Sequence, residues 1–213
     1  MKILAVSDQV VDSLYHPNVK HRFADIDLIL GCGDLPYDYL EFLVSSFNRP
    51  LYYVHGNHDK MIEYTEAGAR PISAGGCIPL DSRVVRVDDV ILAGLEGSIR
   101  YSHEGRYQFS QAEMERKALR LSGQLAWNRL RYGRWLDILV THSPPFGVGD
   151  GPDAAHVGFR AFNTLIHRFK PRYLLHGHQH VYRGPKPGTH IGSTKVINVY
   201  PYRVIDWEGS GDA

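Results

Sequence analysis

Short apolar runs recur along the chain, and each stops at glycine or at a side chain able to bind a metal or move a proton. KILAVSD stops at Asp8, DLILGCGD at Asp34, and LYYVHGNHD at His58 and Asp59. DILVTHSPP runs into His142, and YLLHGHQH into His178 and His180. These runs lack the alternation of a half-exposed strand, so they predict strands buried on both faces of a sheet. Helical spacing separates them. Pro36 to Phe47 carries proline at the first helical position and a stripe of Leu40, Leu43, Val44 and Phe47. Ser110 to Arg131 carries Met114, Ala118, Leu121 and Leu125, with Ser110 and Glu113 spaced as a capping box. Gly123 weakens the expectation that this is one unbroken helix. A third helix is predicted over Val157 to Phe169, stopping before the Lys170–Pro171 pair.

Other segments read as sheet without crossover helices. SRVVRV and VILAGLEG flank Asp88 and Asp89 as a hairpin, and the tail KVINVYPYRVIDW reads as two strands broken near Pro201. The expected architecture is an α/β layered domain of about ten strands, partly parallel and partly antiparallel. Residues 1–213 contain no repeat or linker that would divide them, so one domain is expected. The Gly- and Pro-rich loop from Pro144 to Gly158 is long enough to be functional.

Composition narrows the class without naming the chemistry. The chain has 213 residues, 43% hydrophobic and 22% charged, which suits an ordinary packed core. A formal charge of +1 gives no general attraction to nucleic acid or to an anionic membrane. Cys32 and Cys77 form no CxxC pair, and a reducing compartment is the simpler reading. The four-residue run ILAV is too short for a secretory segment, and no apolar run is long enough to span a bilayer. The expected location is the cytoplasm.

The chemistry lies at the strand ends. Ligands of open α/β sheets collect outside the carboxyl ends of the strands. If the runs are parallel neighbours, Asp8, Asp34, Asn57, His58, His142, His178 and His180 converge on one edge. Oxygen and imidazole ligands without thiolate suit Mn²⁺, Fe or Zn²⁺, and such a set could hold two ions about 3.5–4 Å apart. Each signal alone has an ordinary explanation: an aspartate after a strand caps turns, Gly33–Asp34 is a common turn pair, and a histidine can bond to backbone. Their joint occurrence in this order carries the metal reading.

SDQV at 7–10, GCGD at 31–34, GNHD at 56–59, THSP at 141–144 and GHQH at 177–180 together resemble the motif series of the calcineurin-like metallophosphoesterases. The resemblance spans nearly the whole chain and implies a four-layer α/β/β/α sandwich with two mixed β-sheets. It implies that Asp34 bridges two metals, that Asp8 and His180 serve the first, and that Asn57, His142 and His178 serve the second. It further implies that His58 assists leaving-group departure and that Asp59 orients His58. His55, just before the motif, reads equally as a structural or a supporting histidine. One position departs from the pattern. Val10 stands where the family usually has a histidine ligand. An apolar residue there would pack against the next element, leaving the first metal weakly held unless water, Gln9, Asp12 or His16 fills the gap.

Two loops offer substrate contacts. SIRYSHEGRYQF supplies Arg100, His103, Arg106 and Tyr107, which could hold a phosphate or stack a base, or could be a solvated lead into a helix. Phe146, Asp153 and His156 could line the site from the second loop. The expected activity is metal-dependent hydrolysis of a small phosphoester, a nucleotide among the candidates, by metal-activated water with help from His58. A diester is favoured over a monoester, and a non-catalytic metal-binding scaffold is the rival class.

Overall fold

A computed structural model describes residues 1–60, 62–65, 68–102, 105–180 and 188–209. From the N-terminus, β1 (Lys2–Val6) leads to the single-turn helix α1 (Val19–Arg22), β2 (Ile26–Gly31), α2 (Tyr37–Phe47) and β3 (Leu51–Tyr53). An antiparallel pair, β4 (Ile62–Thr65) and β5 (Gly68–Pro71), follows, and then β6 (Ile78–Pro79). Next come β7 (Val84–Val87), β8 (Val90–Leu95), β9 (Ser98–Ile99), β10 (Gln108–Phe109) and the long helix α3 (Gln111–Tyr132). The chain closes with β11 (Ile138–Thr141), α4 (Arg160–Phe169), β12 (Tyr173–His176), β13 (Thr189–Ile191), β14 (Thr194–Asn198) and β15 (Tyr202–Asp206).

Two mixed sheets result. The first runs β15-β1-β2-β3-β6, parallel except for β15. The second runs β13-β14-β12-β11-β8-β7, with a parallel centre and antiparallel β7 and β13 at its edges. Successive side chains of a strand point to opposite faces, and here both faces are covered. Leu4, Val6 and Ile29 pack with Leu40, Leu43 and Phe47 of α2. Ile3, Ala5, Leu28 and Leu30 meet Leu92, Ile138, Val140 and Leu175 of the second sheet. On the far side Ile91, Ala93, Leu139 and Leu174 pack with Leu121 and Leu125 of α3 and with Phe162 and Ile166 of α4. The layers are therefore α/β/β/α, and the double burial explains why the strands read as continuous apolar runs.

Several boundaries differ from the expectation. Fifteen strands occur among the described residues, because β4, β5, β6, β9 and β10 are too short or too irregular to show a period. Helix α1 was not anticipated, since one turn has no stripe to read. Pro36 is the N-cap of α2 and does not occupy its first turn. Helix α4 begins at Arg160, three residues later than expected. Helix α3 continues through Gly123, whose Cβ position faces open space. The propensity cost of about 1 kcal/mol for that glycine is outweighed by the apolar face around it. The capping box is formed: Ser110 Oγ accepts from the Glu113 N–H, and the Glu113 carboxylate accepts from the Ser110 N–H. The hairpin turns at Asp88 with a left-handed φ of 49°. The tail breaks near Pro201, where the chain leaves the second sheet and joins the first.

Helix α3 separates burial from propensity. Leu121 is fully buried and Leu119 is 70% exposed on the same helix. Leu121→Ala should cost about 2–5 kcal/mol of stability, and Leu119→Ala less than about 0.5 kcal/mol. Urea unfolding checks this; equal losses would mean that α3 does not pack on the second sheet.

Candidate metal centre

Strands β1, β2 and β3 of one sheet and β11 and β12 of the other finish at a common edge, and the converging residues Asp8, Asp34, Asn57, His58, His142, His178 and His180 lie one to five positions beyond those ends. Three of them, Asp8, Asp34 and His178, have left-handed backbone with φ of 63°, 55° and 66°. Non-glycine residues adopt this region rarely, and such strain concentrates where surrounding structure holds a side chain to a task. Here the bend comes two or three residues after β1, β2 and β12. The glycines of the motifs allow the loops to close on one another. A Cβ on Gly56 would strike the Asp34 carboxylate, and one on Gly177 would strike Ser7 and Asp8.

Four donor atoms converge around His142. Its Nε2 lies 3.3 Å from Asp34 Oδ2, 3.2 Å from Asn57 Oδ1 and 3.1 Å from His178 Nδ1. Ligand atoms around one small ion with bonds near 2.0–2.2 Å are separated by about 3.0–3.4 Å, so this spacing suits a single coordination sphere. Both rings are also oriented from behind. His142 Nδ1 is 2.8 Å from the Cys32 carbonyl, and His178 Nε2 is 2.8 Å from the Ala155 carbonyl. A carbonyl on one ring nitrogen makes that nitrogen the N–H and turns the other lone pair toward the cluster. Asp34, His142 and His178 form a compact metal-capable group among the described residues, and Asn57 completes it.

Asp8 and His180 stand beside this group as a looser pair. The Asp8 carboxylate is almost fully buried and accepts from the Ser7 hydroxyl and the His178 N–H. His180 Nε2 is 3.6 Å from Asp8 Oδ1, and the ring is half exposed and stacked on Tyr200 at 4.8 Å. Val10 packs against the core of the first sheet and α2. Two of the residues expected as substitute ligands beside Val10 make other contacts. Gln9 Oε1 accepts from the Tyr200 hydroxyl at 2.8 Å, and His16 Nδ1 accepts from the Asn18 N–H at 3.1 Å. Asp12 is exposed.

Residues 1–182 match the family model described as calcineurin-like phosphoesterase. The chain belongs to the calcineurin-like phosphoesterase family. Two solved structures agree on the fold. One is 15% identical with a TM-score of 0.62, covering 96% of this chain and 94% of that one. The other, TT1561 of Thermus thermophilus, is 15% identical with a TM-score of 0.61, covering 93% and 88%. Vacuolar Protein Sorting 29 from Cryptosporidium parvum is a weaker likeness, 14% identical with a TM-score of 0.43, covering 93% and 72%. A search of curated proteins found no match. No helix among the described residues is long and apolar enough to cross a membrane.

Around this metal-capable group, some residues make contacts other than those expected. His58 is exposed, its N–H donates to Asp34 Oδ1 at 2.8 Å, and it lines a cavity of about 620 Å³ with Asp34, Tyr37, Glu41, Lys60 and Ile72. Asp59 was expected to orient the His58 ring. Its described bonds instead go to backbone: it accepts from the N–H groups of Gly56, Asp34 and Leu35 at 2.8–3.1 Å. Arg100 was expected to hold substrate, yet its guanidinium is bound to Glu113 at 2.9 Å and to the Gln108 carbonyl at 3.1 Å. The Tyr107 ring stacks on His55 at 4.4 Å, so it braces the loop instead of reaching into the cleft. His55 in turn pairs with Glu96 at 2.7 Å. Arg106 is exposed, and His103 lies outside the described residues. In the second loop, His156 packs its ring 5.0 Å from that of His178 and is held by Asp153 at 2.7 Å. Phe146 lies under the Arg160 guanidinium at 4.6 Å. Tyr101, absent from the predicted set, accepts from Asn57 Nδ2 at 3.1 Å. No motif or spacing marks it.

Electrostatics tie metal binding to protons. Burial alone would favour neutral His142, but the adjacent Asp34 carboxylate outweighs it and raises the imidazole above its ordinary range. Burial likewise pushes Asp34 up, and the His142 charge and hydrogen bond bring it below the usual carboxylate range. His178 is pushed down by burial and by nearby His142, so it is held neutral. With no ion bound, His142 thus carries a proton at neutral pH that a metal must displace, and affinity should rise with pH until that proton is lost. Mn²⁺ calorimetry at neutral pH in buffers of differing ionisation enthalpy should read release of roughly one proton per ion at this group. No release would show that His142 is already neutral.

Proposed function

We propose that this protein hydrolyses phosphoesters, diesters in preference to monoesters, at the centre formed by Asp8, Asp34, Asn57, His142, His178 and His180. The observation that carries the reading is the convergence of four donor atoms beside a cavity that Asp34 and His58 both line. Asn57, His142 and His178 would hold one divalent ion and Asp8 and His180 a second, with Asp34 available to both. Mn²⁺ is the favoured metal, with Fe or Zn²⁺ as alternatives. When bound, such ions supply Lewis-acid stabilisation of phosphoryl charge and acidify water. The chain does the positioning. Asp34 fixes the His58 backbone, and the exposed His58 ring would give a proton to the departing oxygen. The cavity on the His58 side has room for an organic leaving group, which supports an ester larger than a minimal phosphate.

A binding protein without turnover is the second reading, and Val10 favours it, because the valine removes one ligand from the Asp8–His180 side. Assaying mono- and diesters with Mn²⁺ separates the readings: turnover of a diester supports the proposal, and none across the panel supports the binding role. His58→Ala should lower kcat by roughly 10²–10⁴-fold with metal content unchanged. Parallel loss of metal and activity would assign His58 to holding the site together.

The two metal positions should also differ in strength. Stripped protein titrated with Mn²⁺ is expected to show one tight and one weak site, and Val10→His should tighten the weak one if the new ring can leave the core. Two equally tight sites, unaffected by the substitution, would refute the asymmetry.

A further inference from the structure

We infer that the Tyr101 hydroxyl donates a hydrogen bond to a phosphoryl oxygen of the ester held at the Asn57 side of the centre, an inference that rests on the hydrolytic reading above. The orientation of Asn57 is fixed from both ends. Its Oδ1 lies 3.2 Å from His142 Nε2, and its Nδ2 donates to the Tyr101 hydroxyl at 3.1 Å. A phenol that accepts at its oxygen still has its own proton to give. Tyr101 is 41% exposed and its oxygen already accepts from Asn57, which leaves its own hydrogen free to reach a ligand entering from the solvent side. An oxygen of an ester seated on the Asn57 ligand set would be the nearest anionic acceptor.

The backbone beneath Tyr101 is held more firmly than a solvated loop requires. The side-chain oxygen of Gln108, a residue only 6% exposed, accepts from the N–H groups of Tyr101 and Ser102 at 3.2 Å and from the Ser102 hydroxyl at 3.3 Å. The preceding residue, Arg100, is bound to Glu113 in the capping box of α3. Position and orientation of the hydroxyl are thus set before any ligand arrives. A preorganised donor is most useful where charge grows during reaction, as it does on phosphoryl oxygens during ester hydrolysis. Tyr101 is therefore a catalytic residue by contact with the substrate, and by bonding Asn57 it also positions a metal ligand.

Tyr101→Phe keeps the ring and removes only the hydroxyl. With saturating Mn²⁺ and bis(p-nitrophenyl) phosphate, kcat/KM should fall roughly 10- to 100-fold, a loss smaller than that of a fully enclosed oxyanion donor. Binding of vanadate, which mimics the trigonal-bipyramidal phosphorus, should weaken more than binding of inorganic phosphate, while Mn²⁺ content stays the same. Unchanged kcat/KM, or equal effects on vanadate and phosphate, overturns the inference. A loss seen only at subsaturating Mn²⁺ and absent at saturation also overturns it, since Tyr101 would then act only through Asn57. An unmodified protein that turns over no ester defeats the hydrolytic reading itself, and the inference with it.

Discussion

The site depends on how the Asp34 carboxylate is caught between two loops. Its Oδ1 accepts from the His58 N–H at 2.8 Å, and Oδ2 faces His142 at 3.3 Å. In the reverse direction, Asp59 of the second loop accepts from the N–H groups of Asp34 and Leu35. Each loop thus places a carboxylate on the backbone of the other. Hydrogen bonds to a charged group contribute about 1.5–3 kcal/mol each, enough to offset the left-handed backbone at Asp34. Gly56 completes the constraint, because any side chain there would occupy the space of the carboxylate. Movement of either loop would carry the other with it.

That exchange is possible because the sheets bring the loops to one edge. The contact between the inner faces of the sheets, through Ala5, Leu30, Val140 and Leu175, fixes how far β2 stands from β11. Once that distance is set, the Cys32 carbonyl beyond β2 falls 2.8 Å from His142 Nδ1 beyond β11. A backbone group of the first sheet therefore orients a ring of the second. Packing and ligand geometry are coupled, so a cavity in the inner layer would be felt at the metal centre before the fold was lost.

The sequence was readable where physics acts through neighbours along the chain. Double burial produced the unbroken runs of β1, β2, β8, β11 and β12, and the Ser110–Glu113 spacing revealed the start of α3. The ligand types were readable too, because strand ends and motif order placed Asp34, Asn57, His142 and His178 together. What could not be read was the partner of each polar group across the fold. Arg100 looks like a phosphate ligand until Glu113, thirteen positions on, is brought to within 2.9 Å. Tyr107 looks like a stacking platform for a base until His55 covers it. Asp59 beside His58 invites a dyad, but the turn directs its oxygens to three amides. Tyr101 carried no signal at all, since its importance comes from touching Asn57, 44 residues away.

The two halves of the centre are built to different standards, and the difference follows from where their supports come from. His142 and His178 lie in the crevice between the sheets, where backbone carbonyls fix one nitrogen of each ring and burial excludes water. His180 lies one step further out. Its neighbours include the Tyr200 ring and the Asp8 carboxylate, and its ring is half exposed. Ligands held from behind keep their geometry without an ion, whereas an exposed ring must lose rotational freedom to bind one. If the Asp8–His180 pair holds the second ion proposed above, its affinity would be governed by the entropy of ordering His180 as much as by ligand count. The Tyr200 stack, itself anchored through Gln9, is one contact that would reduce this entropy. Gln9 thereby contributes to the outer position indirectly, by holding the aromatic surface on which the outer histidine rests.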